Sequence, residues 1–135
     1  MNTFGHILGT GSFIPERVLT NQDLEQIVET SNDWIVRRTG IRERRIASKQ
    51  RPESTADMAT AAARSALESA GLDPSELDMI VVGTVTPDRQ FPSAACMVQE
   101  ALGAGNAVAF DVSAGCSGFL FALSNVLNAI HCGSC

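Results

Sequence analysis

The last part of the chain is uncharged, and this feature constrains the fold more than any other. No Asp, Glu, Lys or Arg follows Asp111 in the 135-residue sequence. The stretch is about long enough to span a bilayer, but its serine, asparagine, glycine and histidine residues make insertion costly. A helix that is apolar on nearly every face must be covered on every face. We therefore predict a fully buried central helix from about Cys116 to His131, and no membrane span.

The composition of the chain is that of an ordinary globular protein. Apolar residues make up 44% and charged residues 19% of the sequence, which argues against disorder. The net charge of −5 argues against nucleic-acid binding as the main role. The N-terminus has no basic segment followed by an apolar one, so we predict no signal peptide. The four cysteines are therefore expected to be reduced thiols in a cytoplasmic protein.

Strand and helix patterns alternate along the rest of the chain. Residues Phe4–Gly9 alternate weakly and run into a glycine turn, which suggests a first strand. The other predicted elements are, in order, a helix capped at Thr20 or Asn21, a helix from Ser31 to Gly40, a charged strand or hairpin arm at Ile41–Ala47, a helix from Ser54 or Thr55 to Gly71, a strand within Leu77–Thr86, a helix over Ser93–Leu102 and a strand over Ala107–Val112. This order predicts an α/β fold with buried parallel strands. The last helix has at most one covering layer available, so we expect the fold to continue beyond these residues.

The strongest local signal for chemistry surrounds Cys116. A buried strand runs through a tight Ala-Gly turn into a cysteine that opens a helix, which is a nucleophile elbow with sulfur in place of oxygen. The helix N-terminus supplies free N–H groups and partial positive charge, both of which stabilise a thiolate. The Cys116 N–H can also contribute to an oxyanion hole, and Gly115 and Gly118 leave room for a substrate. The alternative is a small core cysteine beside a turn, and the spacing alone leaves both open.

A basic cluster is the second signal. Its members are Arg37, Arg38, Arg42, Arg44, Arg45, Lys49 and Arg51. Only Glu43 opposes them, in a chain that is acidic overall. Such a patch suits phosphates or an acidic carrier protein, and Trp34 beside it can stack on a base. The alternative is a solvated charged hairpin with Trp34 as a core anchor.

Other candidate groups are weaker. Cys132 and Cys135 have the spacing of a redox or zinc half-site, but no second pair of ligands accompanies them, so we expect no metal. Cys96 is expected in the core. His6 and His131 can each act as a base in principle, and we expect both to be structural.

Four segments of the chain resemble β-ketoacyl-(acyl carrier protein) synthase III, the initiating condensing enzymes of bacterial fatty-acid synthesis. They are Gly9–Pro15, Thr30–Arg44, Phe91–Cys96 and Ala109–Cys116, in order along the chain. The pattern Asp-Trp-Ile-Val-x-Arg-Thr-Gly-Ile-x-x-Arg within the second segment is quite specific to this family. The resemblance implies a thiolase fold, in which two similar α/β halves stack as α-β-α-β-α layers around central helices. Residues 1–135 would then form one half-domain, the incomplete first βαβαβα half.

The same resemblance implies roles for individual residues. Cys116 aligns with the acyl-accepting cysteine, and Trp34 with the residue that stacks on the adenine of coenzyme A. Arg38 and Thr39 align with positions that contact the coenzyme A nucleotide. Phe91 aligns with a position that, in the homodimer, reaches into the neighbouring subunit's acyl pocket and limits acyl size. The family's catalytic His and Asn align beyond residue 135, and the family often has Ala-Ala-Cys where this chain has Ala-Gly-Cys.

The resemblance therefore implies a ping-pong acyltransferase. Cys116 would take an acyl group, acetyl or similarly short, from an acyl-coenzyme A and condense it with malonyl-(acyl carrier protein) as carbon dioxide leaves. Coenzyme A thioester is then a substrate, and no tightly bound cofactor, nucleic acid or membrane is expected. Three alternatives stay open: a related starter enzyme of polyketide, quinolone or long-chain ketone synthesis, a truncated chain without turnover, and a cysteine hydrolase, for which the sequence offers no convincing base.

Overall fold

The computed structural model describes residues 4–50 and 52–135, and it divides the chain into two compact units. The first, which we call the sheet unit, comprises Met1–Phe13 and Ser54–Cys135. The second, the hairpin unit, comprises Ile14–Glu53. The expectation of one half-domain over residues 1–135 stays a prediction.

The hairpin unit pairs two short antiparallel strands around two helices. Its elements are β1 (Val18–Thr20), α1 (Asn21–Glu25), α2 (Asn32–Thr39) and β2 (Glu43–Arg45). Both helices begin at predicted caps, since the Thr20 hydroxyl accepts the N–H of Asp23 and the Ser31 hydroxyl accepts the N–H of Trp34, each at 3.2 Å. Helix α2 ends at Gly40, as predicted. Strand β2 lies inside the predicted charged arm, whereas β1 was not predicted, because three residues are too few to show an alternating pattern.

Asn21 is the polar centre of the hairpin unit. It is completely buried, and its amide nitrogen donates to the Asn32 side-chain oxygen at 3.0 Å and to the Ile41 carbonyl at 2.9 Å. Its own side-chain oxygen accepts Nη2 of Arg44 at 3.1 Å. A buried amide is stable only when its donors and acceptor are bonded. Through these bonds Asn21 joins α1, α2 and β2, and it commits Arg44 to the interior of the unit.

The sheet unit contains two parallel strands and three helices. Its elements are α3 (Thr55–Ala70), β3 (Met79–Gly83), α4 (Ala94–Leu102), β4 (Val108–Val112) and α5 (Gly118–Cys132), with 3₁₀ turns at Pro74–Glu76 and Gly115–Ser117. The strands pair in parallel from Met79 opposite Val108 to Gly83 opposite Val112. All five elements lie where the sequence predicted them, to within a few residues.

The three helices of this unit cover opposite faces of the sheet. Val82 packs against a buried cluster that includes Leu67 of α3 and Val98 of α4. The next residue, Gly83, contacts Gly118 at the start of α5. Successive strand positions point to opposite faces. Helices α3 and α4 therefore cover one face of the sheet, and α5 covers the other.

The predicted first strand at Phe4–Gly9 is not formed. This segment is irregular and lies against α3, since a Cβ atom placed on Gly9 would stand 2.8 Å from the backbone nitrogen of Ala70. A strand exists only with a hydrogen-bonded partner strand, and this segment pairs with none among the described residues. The predicted βαβαβα order therefore lacks its first strand among the described residues.

Helix α5 is not the fully buried helix that the sequence predicted. Only Gly118 and Ala122 of this helix are buried, while Phe119 is 71% and Phe121 56% exposed. One side of α5 contacts β3 and β4, and the segment that contains Gly5 contacts Leu127 further along the helix. Within the described residues the sheet covers one side of α5, which agrees with the expected single layer. Within the described residues, Gly115–Cys132 is also the one helical stretch whose length and hydropathy would allow it to cross a membrane.

Candidate active site

Cys116 lies in the 3₁₀ turn that joins the end of β4 to the start of α5. The preceding residue, Gly115, has φ = +52°, a conformation that a side chain at this position would strain. Cys116 is a free thiol exposed to solvent. The predicted arrangement of strand, turn, cysteine and helix is confirmed, and the alternative of a buried core cysteine is wrong.

The start of α5 has no side-chain cap. Neither Ala114, before the 3₁₀ turn, nor Ser117, before α5, accepts a helix N–H through its side chain. The N–H of Ser117 donates to the Ala114 carbonyl at 3.1 Å, whereas the N–H of Cys116 has no acceptor among residues 4–50 and 52–135. Free N–H groups at a helix start attract negative charge. The turn can therefore stabilise a thiolate at Cys116 or an oxyanion beside it.

Helix α4, by contrast, begins with every early N–H group engaged. The Ser93 hydroxyl accepts the N–H of Cys96 at 3.2 Å. The carboxylate of Asp111, on β4, accepts the N–H of Ala94 at 2.9 Å and that of Ala95 at 2.7 Å. Sequence reasoning missed this clamp. Its signal was a single carboxylate inside a buried strand, which requires bonded partners.

Helix α3 begins in the same way. The Ser54 hydroxyl and the Asp57 carboxylate form a reciprocal capping box. The carboxylate of Asp88, in the loop after β3, accepts the N–H of Thr55 at 2.9 Å and that of Ala56 at 2.8 Å. Two of the three long helices in the sheet unit thus hold a carboxylate from elsewhere in the chain at their N-termini, and α5 does not.

Phe91 lies in the loop that follows β3, and its side chain is 88% exposed. Because β3 and β4 are parallel, their final residues Gly83 and Val112 meet at one edge of the sheet. The loop with Phe91 and the turn with Cys116 both leave from that edge. Open α/β sheets bind their ligands outside the carboxyl ends of the strands. The structure therefore brings these two predicted site residues to the same edge of the sheet unit, and the role of Phe91 stays a prediction.

Trp34 and Arg38 are neighbours on α2 of the hairpin unit. They are one helical turn apart, and the guanidinium carbon of Arg38 lies 5.8 Å from the centre of the Trp34 ring. Trp34 is 58% exposed, so the alternative that made it a core anchor is wrong. An exposed indole beside a guanidinium offers stacking to an aromatic base and a charged partner to a phosphate.

Thr39 uses its hydroxyl to close the end of α2. The hydroxyl donates to the Ile35 carbonyl at 2.7 Å and accepts the N–H of Ile41 at 3.0 Å. These bonds occupy the hydroxyl proton and one lone pair within the hairpin unit. They are a structural use of this side chain, and its contact with a nucleotide stays a prediction.

The basic cluster divides into exposed and engaged members. Arg37 and Arg42 are exposed. Arg45 lies 3.8 Å from the carboxylate of Glu43, and Arg44 is turned inward as described above. Arg51 lies outside the described residues. The exposed positive charge near Trp34 therefore comes from α2 and from the residues directly after it.

The remaining cysteines form no site in the described part of the chain. Cys132 and Cys135 are exposed free thiols. Cys96 is half-buried, with its sulfur 3.7 Å from the Ala109 carbonyl, close to the core position that the sequence predicted. Within residues 4–50 and 52–135, no three His, Cys, Asp or Glu side chains are grouped so that they could hold a metal ion.

Comparison with known proteins finds curated relatives that are named β-ketoacyl-(acyl carrier protein) synthase III. No protein-family model matches the chain. The β-ketoacyl-(acyl carrier protein) synthase III of Caldanaerobacter subterraneus is 57% identical over 127 residues, which cover 94% of this chain and 38% of that protein. The crystal structure of 3-oxoacyl-(acyl carrier protein) synthase III from Aquifex aeolicus superposes with a TM-score of 0.90 at 53% identity, over 94% of this chain and 40% of that one.

A polyketide enzyme superposes equally well. The priming β-ketosynthase of the R1128 pathway has a TM-score of 0.91 at 42% identity, over 96% of this chain and 38% of that one. The chain thus spans less than half the length of the relatives it matches. Over nearly all of its own residues the chain has the thiolase fold of these proteins, and about half of its aligned residues are identical to theirs, so it matches part of a β-ketoacyl-(acyl carrier protein) synthase III.

Proposed function

We propose that the protein carrying this chain is an initiating condensing enzyme of fatty-acid synthesis. It transfers an acyl group, acetyl or similarly short, from an acyl-coenzyme A to Cys116 and then to malonyl-(acyl carrier protein). The observation that carries this proposal is the exposed Cys116 thiol at the uncapped start of α5. The names of the relatives support the class of reaction.

In the first half-reaction, the sulfur of Cys116 attacks the thioester carbonyl of the acyl-coenzyme A. A carbon–sulfur bond forms, and the carbonyl oxygen becomes an oxyanion that the free N–H of Cys116 can bind. Collapse of this intermediate breaks the bond to coenzyme A, which leaves as a thiol with the proton that Cys116 lost. Sulfur suits this role because the resulting thioester stays reactive towards a carbon nucleophile.

In the second half-reaction, malonyl-(acyl carrier protein) loses carbon dioxide, and its carbanion attacks the acyl group on Cys116. The new carbon–carbon bond forms as the bond to sulfur breaks, so the Cys116 thiolate is regenerated and the β-ketoacyl product stays on the carrier. The family resemblance assigns the stabilisation of the enolate to a His and an Asn that align beyond residue 135. The residues described here supply the acyl-carrying half of the chemistry.

The substrate contacts belong to the same proposal. Trp34 stacks on the adenine of coenzyme A, while Arg38 and Thr39 contact its nucleotide, and the exposure of Trp34 and its closeness to Arg38 support this. Phe91 enters the acyl pocket of a second copy in a cytoplasmic homodimer, and its 88% exposure supports a role outside its own unit. Coenzyme A arrives and leaves as a substrate, so the enzyme works without a resident cofactor.

The test is an intact-mass measurement on the native protein after incubation with acetyl-coenzyme A. We expect one added acetyl group in the wild type and in Cys132→Ala, which removes a different exposed thiol. We expect none in Cys116→Ala. An adduct that persists in Cys116→Ala, or a wild type that gains no acetyl group, would contradict the proposal.

A second candidate is a starter enzyme of polyketide synthesis, which the match to the R1128 priming synthase favours. Both candidates use the acyl-cysteine and differ in the acyl group and the extender carrier. A series of acyl-coenzyme A substrates of increasing length, each paired with fatty-acid and polyketide carrier proteins, separates them. Preference for acetyl with the fatty-acid carrier supports the first candidate, and preference for a longer acyl group with the polyketide carrier supports the second.

A further inference from the structure

Helix α5 meets β3 through a backbone contact between two glycines. A Cβ atom placed on Gly83 would stand 2.8 Å from the carbonyl carbon of Gly118, 3.0 Å from its oxygen and 3.2 Å from the nitrogen of Phe119. A Cβ placed on Gly118 would stand 3.4 Å from the Cα of Gly83. No side chain fits between the strand and the first turn of the helix at this point.

The need for glycine here is spatial. Neither Gly83 nor Gly118 is among the glycines with positive φ, and Gly118 has the ordinary helical angles φ = −52° and ψ = −46°. Alanine is the better helix former at such a position. Glycine at the start of α5 therefore lowers the intrinsic stability of the helix, and it allows the helix backbone to approach β3 closely.

This contact lies two residues beyond Cys116. Ser117 and Gly118 bond back to the carbonyls of Ala114 and Gly115, so the turn is continuous with the helix start. The position of Gly118 against the end of β3 therefore fixes the position of the Cys116 sulfur relative to the carboxyl ends of the two strands. Displacing a reacting group by about 1 Å can slow a reaction by roughly 10²-fold.

We propose that Gly83 is a positioning residue for Cys116, which acts by holding the first turn of α5 against the end of β3. This inference rests on the proposed function, because it concerns the reactivity of Cys116 as an acyl acceptor. The expected effect is on acyl transfer, which requires alignment with a bound thioester, and much less on simple alkylation, which requires only an accessible thiol.

The test compares three alanine variants of the native protein. Gly83→Ala forces the closest contact, Gly118→Ala forces a milder one, and Gly105→Ala is the matched control, since a Cβ there meets no atom within 4 Å. For each, three quantities are measured: the melting temperature, the rate of Cys116 alkylation by iodoacetamide from peptide masses, and the rate of Cys116 acetylation by acetyl-coenzyme A.

We expect acetylation to fall by about tenfold or more in Gly83→Ala and by less in Gly118→Ala, with alkylation within about twofold of the wild type in both. Gly105→Ala should match the wild type in all three measurements. If Gly83→Ala does not fold, slower acetylation with unchanged alkylation in Gly118→Ala supports the inference.

Two results would overturn the inference. One is acetylation at the wild-type rate in every variant that folds. The other is a parallel loss of acetylation, alkylation and melting temperature, which indicates a purely structural role. A wild type that accepts no acetyl group is a different result, because it rejects the proposed function and this inference with it.

Discussion

The N-termini of α4 and α5 stand at the same sheet and are built in opposite ways. Helix α4 begins with a serine cap and with the Asp111 carboxylate on two of its N–H groups. Helix α5 begins six residues after the end of β4 without any side-chain cap, and Cys116 occupies the turn. A cap contributes about 1 kcal/mol to a helix, so α5 forgoes stability that its neighbour has. The difference fits the proposed function, in which the start of α4 holds the fold and the start of α5 is left free for a reacting group.

The largest expected effect is the loss of stability when the Asp111 carboxylate is removed from the start of α4. Asp111→Ala leaves two N–H groups in a partly buried place without an acceptor, and we expect it to lower the free energy of unfolding by about 3 kcal/mol. Urea unfolding with an unchanged slope would measure this. Asp111→Asn keeps an acceptor of the same size and should lose roughly half as much. A change below about 0.5 kcal/mol in Asp111→Ala would show that the clamp contributes little.

The next prediction places a carboxylate at the uncapped start of α5. Ser117→Asp adds negative charge beside Cys116 and at the positive end of the helix. We expect α5 to gain about 0.5–1 kcal/mol of stability and Cys116 acetylation to slow by about tenfold. Ser124→Asp adds the same charge at an exposed position further along the helix and should leave acetylation unchanged. Faster acetylation in Ser117→Asp would contradict the idea that the open helix start serves the reaction.

The Asp88 carboxylate at the start of α3 should contribute less to the free energy of unfolding than the Asp111 carboxylate at the start of α4. Asp88 is exposed, so water can replace its carboxylate at the N–H groups of Thr55 and Ala56. We expect Asp88→Ala to lower the free energy of unfolding by about 1 kcal/mol, again measured by urea unfolding. If Asp88→Ala lowered the free energy of unfolding as much as Asp111→Ala, burial would not determine how much these carboxylates stabilise their helices.

The smallest expected effect is a change in the pKa of Asp23, at the capped start of α1. The N–H of Thr20, and then its hydroxyl, donate to the Asp23 carboxylate and lower the pKa of that group. A carboxyl whose pKa is lower in the folded state adds stability above its unfolded pKa, about 3.9, and that stability is lost as the pH falls through the folded pKa. A carbon-detected NMR titration should therefore show Asp23 titrating below its ordinary range. In Thr20→Ala the pKa should move part of the way back, because the backbone donor remains, and no movement would mean that the hydroxyl has no part in the shift.

Local signals predicted much of this chain. Ser31 and Ser54 cap helices that the sequence predicted to begin there, and Ser93 caps the helix predicted over Ser93–Leu102, because a serine before a helical pattern satisfies N–H groups only a few residues away. The Cys116 turn was predictable for the same reason, since its strand, glycine and helix are adjacent in sequence. Features that depend on distant partners were not predictable. Asp88 reaches a helix more than thirty residues before it, and the segment Phe4–Gly9 has a strand-like pattern but no strand beside it to complete a ladder.

The exposed residues of α5 set a geometric condition on whatever buries them. Phe119, Leu120 and Phe121 are consecutive, and each is more than half exposed, at 71%, 65% and 56%. Neighbours in an α-helix point about 100° apart around its axis, so these three side chains spread over roughly 200° of the circumference. A flat surface meets a cylinder along one side only. Burying all three therefore takes contact from at least two directions, as in a cleft that encloses the helix.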